Sequence, residues 1–197
     1  MEELVPPVKG ARWVFLVGVA TLLGFGGAGA GLLWAQGRAS WDVFGNGSFV
    51  ALTALGVAAG LTVAVGALLI IRLRCMEPVR VEYTRTIGSL INGWPLQLFV
   101  SVCAGVGEEL FFRGALQHWL GVPLTAFVFV LLHGYLHPRD VRRSLYGGYL
   151  TVAMCGIGYL AEVFGLWSAM VAHTLIDVLL LRALASDWKN GLGSGQS

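Results

Sequence analysis

Long apolar stretches separated by short polar loops dominate this sequence. About 20 apolar residues are needed for a helix to cross the hydrocarbon core of a bilayer, and most of the apolar runs approach or exceed that length. The pattern predicts an all-α protein, a polytopic transmembrane helical bundle with about six membrane-spanning helices. The predicted helices cover about residues 13–34, 49–71, 95–120, 123–136, 145–164 and 166–185.

Glycine and proline mark the ends of several predicted helices. Pro95 suits the first turn of the third helix, and Gly121 with Pro123 separates the third helix from the fourth. Gly165 separates the fifth from the sixth. The polar tail at the end of the chain is expected to be flexible.

The chain divides into three predicted regions. Residues 1–94 hold two transmembrane helices and a basic segment whose arginines among apolar residues suit a membrane interface. Residues 95–186 form a helical core, and residues 187–197 a flexible tail. The first apolar run exceeds the 7–15 residues typical of a signal peptide, so we expect a retained anchor.

Composition and charge support a membrane protein. The chain is 56% hydrophobic and 12% charged, whereas soluble domains are about 25% charged. The net charge of +2 gives no support to nucleic acid binding. With six crossings, nearly all basic loop residues fall on the side of the two termini, and the positive-inside rule then makes both termini cytoplasmic. The excess of arginine over lysine indicates a prokaryotic protein of the cytoplasmic membrane.

Two adjacent glutamates, Glu108 and Glu109, lie deep in the third predicted helix. A carboxylate near the bilayer centre costs at least ~3 kcal/mol, so ionisable residues there indicate a functional site. Glu109 and Arg113 have i, i+4 spacing and can pair. This pair is expected to play a supporting role and to leave Glu108 as the reactive carboxylate.

Three further ionisable residues lie in apolar surroundings: His133, His173 and Asp177. At about 1.5 Å per residue, all three and Glu108 fall near the middle of a ~30 Å hydrocarbon core. His173 and Asp177 have i, i+4 spacing and can face one cavity. Each residue alone could be structural, but the whole set predicts a catalytic cluster that activates water.

These segments resemble the motifs of the CAAX protease and bacteriocin-processing (CPBP, or ABI) family of intramembrane proteases. That family shows E-E-x-x-x-R, F-x-x-x-H and H-x-x-x-N or H-x-x-x-D. The chain has these motifs at Glu108–Arg113, Phe129–His133 and His173–Asp177, and the similarity covers about residues 95–185. All three motifs in this order are specific, and the resemblance implies a helical, glutamate-dependent endopeptidase.

The resemblance also implies individual roles. Glu108 is the general base, and His133 holds and polarises the water. His173 and Asp177 match the residues that stabilise the oxyanion. The last position is often Asn in the family, and an ionised Asp cannot donate a hydrogen bond. Asp177 must therefore be protonated or act by orienting His173.

Metal, serine and thiol chemistry have weaker support. The chain lacks H-E-x-x-H and G-x-S-x-G, and its three cysteines form no C-x-x-C pair. We therefore expect no metal or other cofactor and read the cysteines as structural. A zinc-dependent version remains an alternative, because histidine and carboxylate can bind zinc.

The sequence therefore predicts an intramembrane endopeptidase that cuts a membrane-anchored or lipid-associated protein or peptide in the bilayer. Prenylated tails are not the expected substrate in a prokaryote; sorting tails or exported peptides are. The alternatives are a non-catalytic bacteriocin-immunity or scaffold protein of the same fold, and a transporter or proton relay that uses buried Glu and His.

Overall fold

The computed structural model describes residues 10–91 and 93–192. All regular secondary structure in these residues is helical, which confirms the predicted all-α class. The last positions of the predicted tail, 193–197, lie outside the described residues. The α-helices are α1 Ala11–Ala35, α2 Phe49–Ile71, α3 Glu77–Tyr83, α4 Trp94–Glu109, α5 Gln117–Leu132, α6 Val141–Phe164 and α7 Leu166–Lys189.

Five helical runs in the described residues are long and apolar enough to cross a membrane. Four of them are α1, α2, α6 and α7, and the fifth is the continuous run of 39 residues from Trp94 to Leu132. This run contains both the third and the fourth helix predicted from the sequence. The protein is therefore an integral, multi-pass membrane protein, with five candidate spans where about six were expected.

The run from Trp94 to Leu132 reverses direction at Gly121. Gly121 has a φ of 71°, a backbone conformation that glycine adopts without strain. A straight helix would separate Glu108 from His133 by roughly 37 Å, yet their side chains approach to 3.3 Å. The 11 residues that follow Gly121 rise only about 16 Å, too short for a full crossing of a ~30 Å core.

Helix α7 packs closely against α2 and α4 because glycines line these contacts. A Cβ at Gly56 or Gly60 of α2 would lie 2.6 or 2.8 Å from backbone oxygens of α7. A Cβ at Gly105 of α4 would lie 2.9 Å from the backbone nitrogen of Thr174. Small residues at such positions let membrane helices approach each other, and here they bring α4 and α7 face to face.

Both ends of the described chain lie at the same end of the bundle. Gly10 packs on Leu90, and Lys189 borders a cavity together with Gly93. The basic segment between α2 and α4 forms α3 and short 3-10 and π-helical turns at this end. Arg80 of α3 donates from Nε to Asp187 Oδ2 of α7 at 2.7 Å. The last helix, α7, continues through Asp187 to Lys189, whereas the sequence predicted that the tail starts at Asp187.

Candidate active site

Three helices bring the predicted site residues to one cavity of about 200 Å³. Glu108 lies in the last turn of α4, and His133 follows the last residue of α5. His173 and Asp177 lie on consecutive turns in the first half of α7. All four residues line the cavity, so the structure brings together side chains that the sequence separates by up to 69 positions.

Glu109 is fully buried beneath this cavity and connects two cationic or polar side chains. Its Oε1 forms an ion pair with Arg113 Nη1 at 2.9 Å, as the i, i+4 spacing predicted. The same oxygen lies 2.7 Å from His173 Nδ1. Arg113 also lies 4.6 Å above the ring of Phe129 and 3.2 Å from Met154 Sδ. Arg113 thus fixes the position of Glu109, and Glu109 in turn orients the ring of His173.

The tautomer of His133 follows from its backbone contact. His133 Nδ1 lies 2.7 Å from the carbonyl oxygen of Phe129. A carbonyl oxygen can only accept, so Nδ1 carries a proton and Nε2 is left as an acceptor in the neutral ring. The imidazole also stacks on the Phe129 ring, with centroids 4.2 Å apart. These contacts direct Nε2 towards Glu108 Oε2, 3.3 Å away.

The tautomer of His173 likewise follows from the contact of its Nδ1. Its Nδ1 donates to the carboxylate of Glu109, so its Nε2 points to the opposite side of the ring. There Nε2 lies 3.9 Å from Glu108 Oε2 and 3.7 Å from Asp177 Oδ2. Both distances exceed a hydrogen bond. The sequence suggested Asp177 as the residue that orients His173, but the hydrogen-bond partner in the structure is Glu109.

Glu108 lies between the two imidazoles. Its residue is 8% exposed, and its Oε2 has no hydrogen-bond partner by strict geometry among the described residues. The Nε2 atoms of His133 and His173 and one oxygen of Asp177 face the same small volume. A water molecule there would have a carboxylate to accept its proton and ring nitrogens to orient it, which suits general base catalysis.

Histidine nitrogens and carboxylates are also the donors that zinc prefers. In residues 10–91 and 93–192, no group of three or more His, Cys, Asp or Glu side chains has the arrangement of a metal site. The 3.7 and 3.9 Å separations around His173 Nε2 are wide for neighbouring ligands of one zinc ion at about 2.0–2.1 Å from each.

Tyr135 lines the cavity and was not among the residues predicted from the sequence. Burial raises the pKa of its phenol, so the hydroxyl remains protonated and available as a donor. Its ring lies parallel to that of His133, with centroids 6.2 Å apart. Tyr135 lies two residues after His133, the histidine of the second motif, but the motif does not include it. This position was its signal in the sequence.

A larger cavity of about 640 Å³ lies on the other side of Arg113, towards Gly121 and Gly165. It is lined by the loop between α1 and α2 and by Gln117 and Glu162. It shares no lining residue with the cavity at Glu108. The buried layer formed by Glu109 and Arg113 therefore separates two polar spaces, and the ionisable cluster borders only one of them.

Fold and site together define a multi-pass helical membrane protein with a cluster of carboxylates and imidazoles inside the bundle. Residues 90–179 match the family model described as Rce1-like, type II CAAX prenyl endopeptidase Rce1-like. The match covers all three motifs and confirms the resemblance that they predicted. The family is one of proteases, so the match supports a CAAX protease-type intramembrane endopeptidase. The comparisons with curated proteins and with solved structures found no match.

Proposed function

We propose that this protein hydrolyses a peptide bond of a membrane-associated substrate with a water molecule activated by Glu108. One observation carries the proposal. Glu108 Oε2 faces the Nε2 atoms of two histidines at 3.3 and 3.9 Å, and the Nδ1 atom of each histidine is engaged by a fixed acceptor. The cluster thus presents one base and two oriented imidazoles to one cavity.

The proposed first step is attack of water on the carbonyl carbon of the substrate. Water bound between Glu108 and His133 gives its proton to the Glu108 carboxylate as the C–O bond forms. The proton then passes from Glu108 to the amide nitrogen, the C–N bond breaks, and the amine leaves. Partial burial of these groups within the bundle strengthens these electrostatic interactions.

His173 is proposed to stabilise the oxyanion. A doubly protonated His173 donates from Nδ1 to Glu109 while Nε2–H remains free to donate to the developing oxyanion. Glu109, at 2.7 Å from its Nδ1, compensates the charge of the imidazolium, and a protonated Asp177, at 3.7 Å from its Nε2, is proposed as a second donor to the oxyanion. Donors aimed at the developing negative charge lower the barrier most when they are fixed in advance, and the Glu109 contact supplies this orientation.

The family match and the membrane spans support a substrate anchored in or associated with the bilayer. The sequence favours sorting tails or exported peptides over prenylated tails. The non-catalytic alternative predicts that no cleavage depends on Glu108, so a single variant separates the two hypotheses.

The test compares membranes from cells that express wild-type protein, Glu108→Gln or Glu77→Gln. Glutamine has nearly the shape of glutamate but cannot accept the proton, and loss of a general base costs about 10²–10⁴-fold in rate. Protein termini are identified by mass spectrometry, and termini that require the wild-type protein define substrates. We expect them to disappear with Glu108→Gln and to persist with Glu77→Gln, an exposed carboxylate that does not line the cavity.

The proposal fails if Glu108→Gln is present at wild-type levels and generates the same termini. It also fails if no terminus depends on the wild-type protein, because the non-catalytic hypothesis would then account for the data. Cleavage of an identified substrate by the purified protein in liposomes excludes an indirect effect through another protease.

A further inference from the structure

A third polar cavity, of about 320 Å³, lies between the first turn of α4 and the last turns of α7. It is at the end of the bundle where the described ends of the chain meet. It shares no lining residue with the cavity at Glu108, so the proposed hydrolysis does not use it. Its walls combine cations, a helix N-terminus and a buried amide.

Two cations of α7 border this cavity: Arg182 and Lys189. They are seven residues apart, two helical turns on the same face. Neither has a carboxylate partner within ion-pair distance among the described residues, since the nearby Asp187 is engaged by Arg80. The guanidinium of Arg182 lies 5.7 Å from the centroid of the Trp94 ring. The cavity therefore has a local excess of two positive charges.

The N-terminus of α4 adds to this positive potential. Its N-cap is Gly93, which has no side chain to accept from the first-turn amides, and there is no acidic residue in the first turn. Pro95 has no backbone N–H and the N–H of Gln97 donates to Gly93 O at 3.2 Å, which leaves the N–H groups of Trp94 and Leu96 in this first turn. The helix dipole favours an anion beside them. The charge pattern therefore fits a phosphate or another small anion.

Gln97 supplies an independent indication of a ligand. It is 2% exposed and borders the cavity. Its Nε2 donates to the carbonyl oxygen of Ile91 at 3.2 Å, which fixes the orientation of the amide. Its Oε1 is buried and has no partner among the described residues. Buried polar atoms without a partner are uncommon in proteins, and this one, among eleven in the described residues, can accept a hydrogen bond from a ligand.

The surroundings of this cavity indicate which kind of molecule carries both the phosphate and the hydrogen-bond donor for Gln97. Trp94, at the start of a membrane-spanning helix, is 48% exposed, and Leu98 one turn further is 40% exposed. Tryptophan at a helix end is typical of the membrane–water interface, and exposed leucine faces acyl chains. Basic pockets between membrane helices are known sites for anionic lipid head groups.

We infer that this cavity binds an anionic phospholipid whose head group carries a hydroxyl, as phosphatidylglycerol does. The phosphate lies between Arg182, Lys189 and the first-turn amides of α4. The hydroxyl donates to Gln97 Oε1, and an acyl chain follows the exposed face of α4. This site is independent of the proposed protease activity.

The first test measures binding of phosphatidylglycerol to the purified full-length protein by native mass spectrometry in a neutral detergent. Arg182→Gln/Lys189→Gln is expected to weaken binding about 30-fold, since each cation near the lipid contributes about 1 kcal/mol and 1.4 kcal/mol corresponds to tenfold. The matched control Arg139→Gln/Arg142→Gln removes two charges, one from the loop before α6 and one from its first turn, and should bind as wild type. Equal loss in both double variants would refute the site.

The second test separates the lipid from other sources of phosphate. Inorganic phosphate at millimolar concentration should not displace the lipid, and full displacement would overturn the assignment to a lipid. Phosphatidylmethanol has the same charge but lacks the hydroxyl. It should bind wild type about fivefold more weakly, the factor for a hydrogen bond worth about 1 kcal/mol. Gln97→Met should abolish that difference, and equal binding of both lipids to wild type would refute the hydroxyl contact.

Discussion

The ion pair between Glu109 and Arg113 can be tested apart from catalysis, because each charge can be removed singly and together. Both side chains have 0% exposure, and Arg113 Nη1 lies 2.9 Å from Glu109 Oε1. The three variants are Glu109→Gln, Arg113→Met and the double substitution. Glutamine preserves an acceptor for both neighbours of Glu109, and methionine preserves much of the volume of arginine.

Each single variant leaves one buried charge without its partner. Such a loss costs about 3–5 kcal/mol, whereas removing both charges together is often neutral. At roughly 2–4 °C per kcal/mol for a chain of this size, each single variant should lower the melting temperature by about 6–20 °C. The double variant should recover most of that loss, so the magnitude of the coupling energy should approach the sum of the two single losses.

Catalysis should not recover with stability. Glu109 Oε1 also lies 2.7 Å from His173 Nδ1, and no substitution at position 113 restores a carboxylate there. We therefore expect the double variant to fold well and to cleave poorly. This is a larger role for Glu109 than the sequence suggested, because the sequence paired it with Arg113 alone.

Thermal unfolding can be followed by thiol labelling of Cys103, which is 2% exposed, in a background where Cys75 and Cys155 are serine. Cleavage is measured with the same preparations in liposomes. A double variant as unstable as the less stable single variant would show that the two charges do not compensate each other. A double variant with wild-type turnover would refute the positioning of His173 by Glu109.

Three further predictions concern the cavity and the helix contacts. Asp177→Asn should retain substantial activity, because the amide can donate, whereas Asp177→Ala should lose about 10²–10³-fold in turnover; equal losses would show that the negative charge is required. Chelators should leave cleavage by the purified protein unchanged, and a loss restored by added zinc would establish a metalloprotease. Gly105→Val should destabilise the protein by about 1–3 kcal/mol in thermal melts, because the new side chain meets Thr174. Gly156→Val is the control, since a Cβ there meets no atom within 4 Å among the described residues, and equal destabilisation by both would refute the packing argument.

The sequence predicted the features that depend on local spacing. Apolar run lengths indicated the helical membrane class, and the i, i+4 spacing indicated the pair of Glu109 and Arg113. The three motifs identified the protease family over the segment that the family model matches. These predictions succeeded because helical periodicity and the bilayer thickness act on residues close in sequence.

The features that depend on tertiary contacts could not be read from the sequence. The contact between Glu109 and His173 joins residues 64 positions apart, and no spacing rule reaches that far. Gly121 was identified as a break, but the sequence did not show that the helix after it ends within the depth of the membrane. Nor did it show the π-helical stretch Leu110–Leu116 that directly follows the glutamates.

On the proposed mechanism, the position of His173 between Glu108 and Glu109 gives each glutamate of the pair a separate task. Neighbouring residues on a helix point about 100° apart, so Glu108 and Glu109 cannot approach the same atom of a third side chain. An imidazole has two nitrogens on different edges of its ring. Here Nδ1 contacts Glu109 and Nε2 faces Glu108. The buried, arginine-bound glutamate thus fixes the ring, while its neighbour stays free to take a proton. A single glutamate could not perform both tasks, because an acceptor already bound to Arg113 is a poor base.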